Sequence, residues 1–240
     1  VEIEIDKNTV KKIRHKDRLT GEERNIGITE DDLIFSTLPL GRLTALMGDA
    51  ITASTRQHLQ DVIQLNDLLL VFLKVDRPNL LEPSWVFVPD PKIVFHRVSE
   101  QESFDPEMTP GGSIICCEIM SNDIRPMNRH SDQELSLAAQ KGLSDMGYRG
   151  FSVLDQRVIR LPASYPIFRP GFDQALQRIL AELDRFINFR TIGRQGAFNY
   201  IGSLDAMDIG YGAARWAIQH SRSSEETLWL AERERTSHYP

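Results

Sequence analysis

The 240-residue sequence predicts an α+β fold, with a mixed, largely antiparallel sheet and packed helices. Short apolar runs of strand length recur along the chain, and amphipathic helical segments lie between them. The strands and helices do not alternate regularly, as they would in a doubly wound α/β protein. At roughly 100–200 residues per domain, the length suits one large domain or two small ones.

Composition excludes several classes of protein. With 41% hydrophobic and 26% charged residues, the chain can bury an ordinary globular core. A net charge of -6 argues against nucleic acid as a partner. The longest apolar run, Leu68–Leu73, is far shorter than the ~20 residues of a membrane span. Cys116 and Cys117 are adjacent, so we expect opposite faces of a strand, reduced thiols and a cytoplasmic location.

The N-terminal quarter predicts short strands and one helix. Alternating apolar and polar residues predict half-buried strands at Val1–Ile5 and Val10–Ile13. Residues 14–27 are polar and contain glycines, which predicts a long turn. A buried strand is predicted at Leu33–Thr37, followed by a turn, and a short helix at residues 52–64.

The middle of the chain predicts further strands. Leu65–Val75 is strongly apolar and rich in branched residues, which favours a central strand. Two apolar runs, Trp85–Val88 and Ile93–Phe95, flank a proline-containing turn and predict a hairpin. Strands are also predicted at Ser113–Met120 and Val153–Leu161.

Four helices are predicted in the second half, including one that begins at Asp205. Ser131, with a glutamate three residues on, forms a capping box that begins a helix extending to about Met146. Pro170 opens the clearest amphipathic pattern. A second capping box at residues 223–226 predicts a terminal helix, which we expect to be a solvated element. Trp85 and Trp216 are expected in the core.

The most informative segment begins with a buried strand, Phe186–Ile192, that stops at Gly193. A glycine-rich loop follows, and Asp205 then begins a helix that contains several small residues. Such a helix start offers free N–H groups and about half a positive charge, which suits a phosphate or the negative edge of a reduced flavin. Taken alone, Asp205 is better explained as a cap of its own helix, although the residues leave both readings open.

This segment resembles the C-terminal FAD motif of the superfamily of amine oxidases, protoporphyrinogen oxidases and UDP-galactopyranose mutases. In that motif a strand ends in Gly-Arg, Gly-x-Phe-x-Tyr follows, and an aspartate opens a helix under the flavin. The matching residues here are Gly193-Arg194, Gly196 to Tyr200, and Asp205. The resemblance implies that Gly193 and Arg194 approach FAD. It also implies that Asp205 holds the ribityl chain or pyrophosphate, with the N–H groups of Ala206 and Met207 at the flavin edge.

Weaker signatures extend the resemblance over most of residues 1–220. Leu33–Leu40 looks like the strand that closes the FAD domain, while Phe95–Ser99 and Tyr165–Phe168 resemble segments of the substrate domain and the return crossing. The implied organisation is a residual part of the FAD-binding domain at 1–50, a substrate-binding domain at 51–164, the return to the FAD-binding domain at 165–220, and a terminal helix and tail at 221–240.

Candidate substrate residues lie in the predicted substrate domain and the loop. His96 and Arg97 end a predicted strand, where they either bind an anionic substrate group or are simply solvated. Tyr200 is expected to line the pocket near the flavin, and Tyr165 to be a core residue. The other histidines are scattered without metal-ligand spacing, so no metal site is expected.

The resemblance implies that the chain is the C-terminal part of an FAD-dependent oxidoreductase whose substrate is an amine, a porphyrinogen, a polyprenoid or a sugar nucleotide. The Gly-x-Gly-x-x-Gly motif that binds the ADP half of FAD is not in the sequence. FAD is therefore expected for a longer parent protein, and this chain alone is expected to be inactive. Its expected partners are the missing N-terminal FAD-binding portion, a small-molecule substrate and a second copy of the chain.

Two alternatives stay open at the level of sequence. One is a UDP-galactopyranose mutase-like flavoenzyme, in which an arginine cluster would hold the diphosphate of a sugar nucleotide. The other is a catalytically silent binding or assembly domain. The candidate arginines for the first alternative are Arg97, Arg125, Arg157, Arg160 and Arg169.

Overall fold

The computed structural model describes residues 2–29, 31–220 and 227–237, which form two compact units. Unit 1 comprises Val1–Gln64 and Pro166–Pro240, and unit 2 is the intervening stretch Leu65–Tyr165. The sequence placed the first boundary at residue 50, whereas residues 51–64 cluster with unit 1. None of the described helices is both long and apolar enough to cross a bilayer.

The described strands and helices are numbered in chain order. The strands are β1 (Glu2–Asp6), β2 (Thr9–Lys16), β3 (Glu23–Gly27), β4 (Ile34–Ser36), β5 (Gln64–Val75), β6 (Trp85–Phe87), β7 (Arg97–Glu100), β8 (Ser113–Ser121), β9 (Val153–Ile167) and β10 (Phe189–Thr191). The helices are α1 (Leu40–Met47), α2 (Ala53–Val62), α3 (Asp132–Asp145), α4 (Phe172–Asp184), α5 (Gly193–Gly196), α6 (Ser203–His220) and α7 (Thr227–Thr236).

Unit 1 contains two small sheets and the helices other than α3. Strands β1, β2 and β3 form an antiparallel meander, and β4 pairs in parallel with β10. The parallel pair joins chain segments that are 155 positions apart, since the Thr191 hydroxyl reaches the Ser36 carbonyl at 3.5 Å. A short parallel pair can only form once the distant segments have been brought together by other contacts.

The side chain of Asn188 joins the two sheets of unit 1. Its Nδ2 donates to the carbonyl of Val10 and its Oδ1 accepts from the N–H of the same residue, both at 3.0 Å. The Asn188 carbonyl also accepts from the N–H of Ile34 at 2.8 Å. One buried residue just before β10 therefore connects β2 to β4.

Unit 2 is a five-stranded sheet in the order β6-β7-β8-β5-β9. Strands β6, β7, β8 and β5 pair antiparallel, and one face of the sheet packs on α3 to form an apolar core. The beginning of β5 lies beside the end of β9, because Asp67 Oδ1 accepts from the Ala163 N–H at 3.0 Å. The core is contributed mainly by Leu69, Val71, Val98, Ile119, Leu135 and Leu143.

The capping box predicted at Ser131 is confirmed. The Ser131 hydroxyl accepts from the Glu134 N–H at 3.3 Å, and the Glu134 carboxylate accepts from the Ser131 N–H at 2.8 Å. These hydrogen bonds satisfy N–H groups that have no acceptor within the helix. The second capping box, at residues 223–226, lies outside the described residues.

Several predicted connections are wrong. The long turn predicted for residues 14–27 contains the end of β2 and all of β3, an exposed strand that no apolar pattern marks. The predicted hairpin has a different second strand, because β6 pairs with β7 and the Ile93–Phe95 run packs as core without forming a strand. The turn predicted after β4 passes directly into α1, with Pro39 at the cap position.

The terminal helix α7 is docked on unit 1, so its prediction as a solvated element is wrong. Arg233 donates to both carboxylate oxygens of the buried Asp184, from Nε at 2.8 Å and from Nη2 at 2.5 Å. Trp229, also buried, donates from Nε1 to Asp184 at 2.8 Å. The Trp229 ring contacts the ring of Trp216, a residue correctly predicted in the core.

We expect Arg233→Met to destabilise the protein by about 3–5 kcal/mol, because it leaves the charge of Asp184 buried with only one donor. Arg235→Met is the matched control in the same helix. Arg235 makes its ion pairs with Asp208 and Glu232 at the surface, so its loss should cost less than about 1 kcal/mol. Urea denaturation of both variants checks the difference, and equal costs would contradict the buried pair.

Candidate functional site

The loop after β10 is shaped by two glycines. Gly193 has a φ of +78°, in the left-handed region that side chains rarely adopt. Gly196 has no room for a side chain, since a Cβ there would lie 2.8 Å from both the Ser36 carbonyl oxygen and the Thr191 hydroxyl. The short helix α5 therefore begins and ends at positions that require glycine, close against the ends of β4 and β10.

Arg194 and Tyr200 lie together at the surface of this loop. The Arg194 guanidinium carbon is 4.4 Å from the centre of the Tyr200 ring, a cation–π distance. Its Nη1 donates to the Ile201 carbonyl at 2.7 Å. The arginine thus holds the loop closed while the Tyr200 ring stays partly exposed.

Asp205 is engaged with the start of its own helix. Its Oδ2 accepts from the Gly202 N–H at 2.9 Å, the reach-back bond of an acidic residue in the first turn of α6. The first helical backbone bond runs from the Ala206 N–H to the Gly202 carbonyl at 3.1 Å. The Met207 side chain is exposed.

A buried carboxylate, Glu118, organises a polar cluster in unit 2. Arg97 donates to its Oε1 from Nε at 2.8 Å and from Nη2 at 2.5 Å. The Tyr165 hydroxyl lies 3.4 Å from Oε2, and the Nε2 of His96 lies 3.8 Å from the same oxygen. Glu118 is only 6% exposed, so these partners replace the water that its charge has lost.

Two exposed aromatic residues border this cluster. The sheet register places Phe87 opposite Arg97 and Arg97 opposite Glu118, so all three lie on the face that is turned away from α3. The ring centres of Trp85 and Phe87 are 4.9 Å apart, and the Arg97 guanidinium lies 5.9 Å from the Phe87 ring centre. Trp85, which was expected in the core, is half exposed on the edge strand β6.

Burial shifts the pKa of two further groups near Glu118, His96 and Cys116. It lowers the pKa of His96, and Arg97 adds to this effect, while the Glu118 charge opposes it. Burial raises the pKa of Cys116 to about 12, with a further contribution from Glu118. At neutral pH His96 is therefore an uncharged imidazole and Cys116 an unreactive thiol.

The fold is shared with several solved structures. A reduced UDP-galactopyranose mutase matches with a TM-score of 0.71 and 18% identity over 97% of this chain and 48% of its own. An oxidase described as a protoporphyrinogen oxidase, from Exiguobacterium sp. 255-15, matches with a TM-score of 0.58 and 15% identity over 98% and 46% of the two chains. An oxidoreductase from Methanosarcina mazei matches with a TM-score of 0.55 and 17% identity over 81% of this chain and 43% of its own.

This chain has the fold of about half of each of these proteins. The superfamily resemblance drawn from the sequence is confirmed for the fold, because two of the protein types that it named are among these structures. No protein-family model matches the chain, and no curated protein matches its sequence. Identities of 15–18% support a shared fold, but they do not establish a shared activity.

The structure groups the candidate residues into two sets. Gly193, Arg194 and Tyr200 lie in one loop of unit 1, followed by Asp205 at the start of α6. His96 and Arg97 meet at Glu118 in unit 2. Arg160 is engaged elsewhere, since it donates to Asp132 at 2.5 Å and to the His130 carbonyl at 2.8 Å, next to the start of α3.

Sequence reasoning missed Glu118, although a signal exists. It is the single charged residue in the otherwise apolar strand β8. A lone carboxylate in a central strand must find a partner when it is buried, and this marks it as a candidate site residue. Tyr165 was expected in the core and is buried, and its hydroxyl belongs to the same cluster.

The charges of Glu118 and Arg97 should act in opposite directions on the pKa of His96. Glu118→Gln should lower the pKa of His96 further, because the carboxylate that favours the imidazolium is lost. Arg97→Met should raise it, because a nearby positive charge is removed. NMR titration of the histidine ring resonances measures both shifts, and Lys141→Met, an exposed substitution on α3, should leave this pKa unchanged. A rise in Glu118→Gln would show that the carboxylate does not act on His96.

Substituting the two glycines of the loop after β10 should lower the stability of the protein. Gly196→Ala should cost about 1–3 kcal/mol through overpacking, and Gly193→Ala about 1–2 kcal/mol through its positive φ. Gly210→Ala is the control, because Gly210 lies within α6 and a Cβ there meets nothing within 4 Å. It should stabilise the protein by about 0.5–1 kcal/mol. Chemical denaturation measures the change in unfolding free energy for the three variants. If Gly210→Ala destabilised the protein as the other two do, crowding at Gly196 would not be the cause.

Proposed function

We propose that this chain is the substrate-facing part of an FAD-dependent oxidoreductase, in which unit 1 holds one side of the cofactor and unit 2 binds the substrate. The observation that carries the proposal is the loop after β10, where Gly193, Arg194 and Gly196 follow a buried strand and precede α6. The fold shared with UDP-galactopyranose mutase and the protoporphyrinogen oxidase supports the same reading.

The residues of unit 1 fit part of a flavin dinucleotide. Gly193 lacks a side chain where the backbone would approach a ligand, and Arg194 supplies a positive charge. The first turn of α6 carries the positive end of the helix dipole, which suits the negative edge of a flavin. Because the Ala206 N–H already bonds to the Gly202 carbonyl, the role expected for Ala206 and Met207 is proposed only through this dipole and not as free N–H donors. The Asp205 carboxylate retains acceptor capacity beyond its bond to Gly202 and is proposed to hold the ribityl chain or pyrophosphate. Bound FAD would supply the hydride chemistry.

We propose that a partner supplies the rest of the cofactor site. The edge of β4 that is turned away from β10 is where this partner would pair. The Ile34 N–H bonds to Asn188 and the Ser36 carbonyl to the Ile192 N–H, both beside β10. The peptide groups of Phe35, between them, point to the other edge of β4, where no described strand pairs. Parallel strands normally lie inside larger covered sheets. We therefore propose that the N-terminal FAD-binding portion supplies a neighbouring strand.

An exposed apolar face on α6 supports the same partner. The side chains of Leu204, Met207, Tyr211 and Ile218 are all more than half exposed. Their spacing places them along one side of the helix. Contiguous exposed apolar surface of this kind is typical of an interaction surface. A chain that spans 48% of the mutase and 46% of the oxidase is proposed to bind the other half here.

Unit 2 offers a substrate site with an apolar border and a polar centre. Trp85 and Phe87 are exposed beside Arg97, His96 and the buried Glu118. Arg97 and Glu118 compensate each other's charge, so the cluster suits a polar group on a largely apolar substrate. An amine, a porphyrinogen and a polyprenoid remain substrate candidates. Of the arginines considered for a sugar nucleotide, Arg160 is engaged next to α3 and does not join Arg97. The buried free cysteines suit a reducing, cytoplasmic compartment.

The proposal is tested by FAD binding to the chain extended upstream through the expected nucleotide-binding portion, followed by flavin fluorescence. We expect FAD to bind the extended protein. Asp205→Asn, which preserves the hydrogen bond to Gly202, should weaken binding about tenfold through the loss of a charged acceptor. The control Asp208→Asn, in the same helix, faces Arg235 and should change the affinity less than about twofold. An extended protein that folds but does not bind flavin would refute the proposal and leave a binding module.

A further inference from the structure

The face of the unit 2 sheet that is turned away from α3 contains a groove of about 310 Å³. The groove lies between the second half of β5, the beginning of β8 and the first part of β9. Its volume falls within the range of roughly 300–1,000 Å³ that is typical of small-molecule sites. The register pairs Leu70 with Glu118, so Phe72 and Lys74, which line the groove, share the face of the Glu118 cluster.

The floor of the groove is apolar. It is lined by Phe72, Ile114 and Ile159, which are all only partly buried. On β8, Ile114 is followed along this face by Cys116 and then by Glu118. Four residues of a strand span roughly 14 Å, so the groove begins about that far from the Glu118 cluster. The side chains that β5 and β8 place between the groove and the cluster are therefore apolar.

Three charged side chains border the groove and leave one positive charge in excess. They belong to Lys74, Asp155 and Arg157, and all three residues are exposed. Lys74 and Arg157 have no ion-pair partner among the described residues. The Asp155 Oδ1 accepts from the N–H of Gln156 at 2.8 Å. Charge complementarity therefore favours an anion with a single charge at this end of the sheet.

The two cations suit a carboxylate. A guanidinium can donate two parallel hydrogen bonds to a carboxylate, and an ammonium adds a compact positive charge. At the other end of the face, Arg97 is already neutralised by Glu118. An anionic group is therefore attracted to Lys74 and Arg157 rather than to the Glu118 cluster. The apolar floor and the single excess charge do not suit a diphosphate, the ligand for which Arg157 was considered from the sequence.

We propose that this groove binds the carboxylate end of an elongated, largely apolar acid. The carboxylate lies between Lys74 and Arg157, and the hydrocarbon extends over Phe72 and Ile114 toward the Glu118 cluster. The identification of this acid as the substrate rests on the proposed function. Binding itself requires only residues of unit 2, so it is expected in this chain without FAD and without any upstream portion.

The test uses decanoate as the probe and decyltrimethylammonium as its matched control, which has the same alkyl chain and the opposite charge. Binding to the chain is measured by calorimetry below the micellar concentration of each probe. We expect decanoate to bind at least about tenfold more tightly, since two attractive pairs become two repulsive ones. Decanoate should also shift the NMR methyl resonances of Ile114 and Ile159, but not that of Ile119, which is buried on the opposite face.

Two double variants locate the carboxylate. Lys74→Gln with Arg157→Gln should weaken decanoate binding about fivefold or more, because both cations at the groove are lost. Lys92→Gln with Lys141→Gln removes two exposed cations of unit 2 outside the groove and should leave the affinity unchanged. Because the two double variants change the net charge equally, a general electrostatic effect would weaken both alike.

A gain of affinity provides a test that misfolding cannot imitate. Asp155→Asn removes the one negative charge at the groove and keeps the oxygen that accepts from Gln156. It should strengthen decanoate binding about twofold.

The proposal is overturned if decanoate does not bind, if the two probes bind equally, or if the two double variants weaken decanoate binding equally. It is also overturned if Asp155→Asn fails to strengthen binding. These measurements are separate from FAD binding to the extended protein. Failure here would leave the flavin proposal standing, whereas decanoate binding in a protein whose extended form does not bind FAD would support the groove as the site of a binding module.

Discussion

The parallel pairing of β4 with β10 is the constraint on which unit 1 depends. The two strands have three residues each and come from segments 155 positions apart, so their own hydrogen bonds cannot hold them together. Asn188 supplies the missing connection by bonding β2 through its side chain and β4 through its backbone. Because Gly196 lies against the ends of the same strands, the candidate cofactor loop is positioned by that pairing.

In unit 2 the corresponding constraint is electrostatic. The sheet has one face covered by α3 and another that carries a buried carboxylate, and removing Glu118 from water is unfavourable unless every acceptor site is used. Arg97 and Tyr165 supply donors, and their positions on β7 and β9 fix the strands that border the aromatic pair. This cluster is the observation on which the proposed substrate surface of unit 2 rests.

The sequence predicted those features that have local signals. The α3 helix has its capping box within four residues, and β5 and β8 have long apolar runs. The docking of α7 depends on an aspartate 49 residues earlier, and the Glu118 cluster joins residues 21 and 47 positions apart. Such partners leave no pattern in a single sequence. The exposed strand β3 has no buried face at all, so periodicity could not reveal it.

The contact between Asp67 and Ala163 has a consequence for how such proteins diversify. The chain therefore enters and leaves unit 2 at neighbouring positions. An inserted segment of any length at this point would keep the two chain ends of its host close together. The host can then accept a lengthened, shortened or replaced unit 2 while its own strands keep their pairing. Recombination at these two points would exchange the surface bearing Glu118 in one step and leave the loop after β10 unchanged.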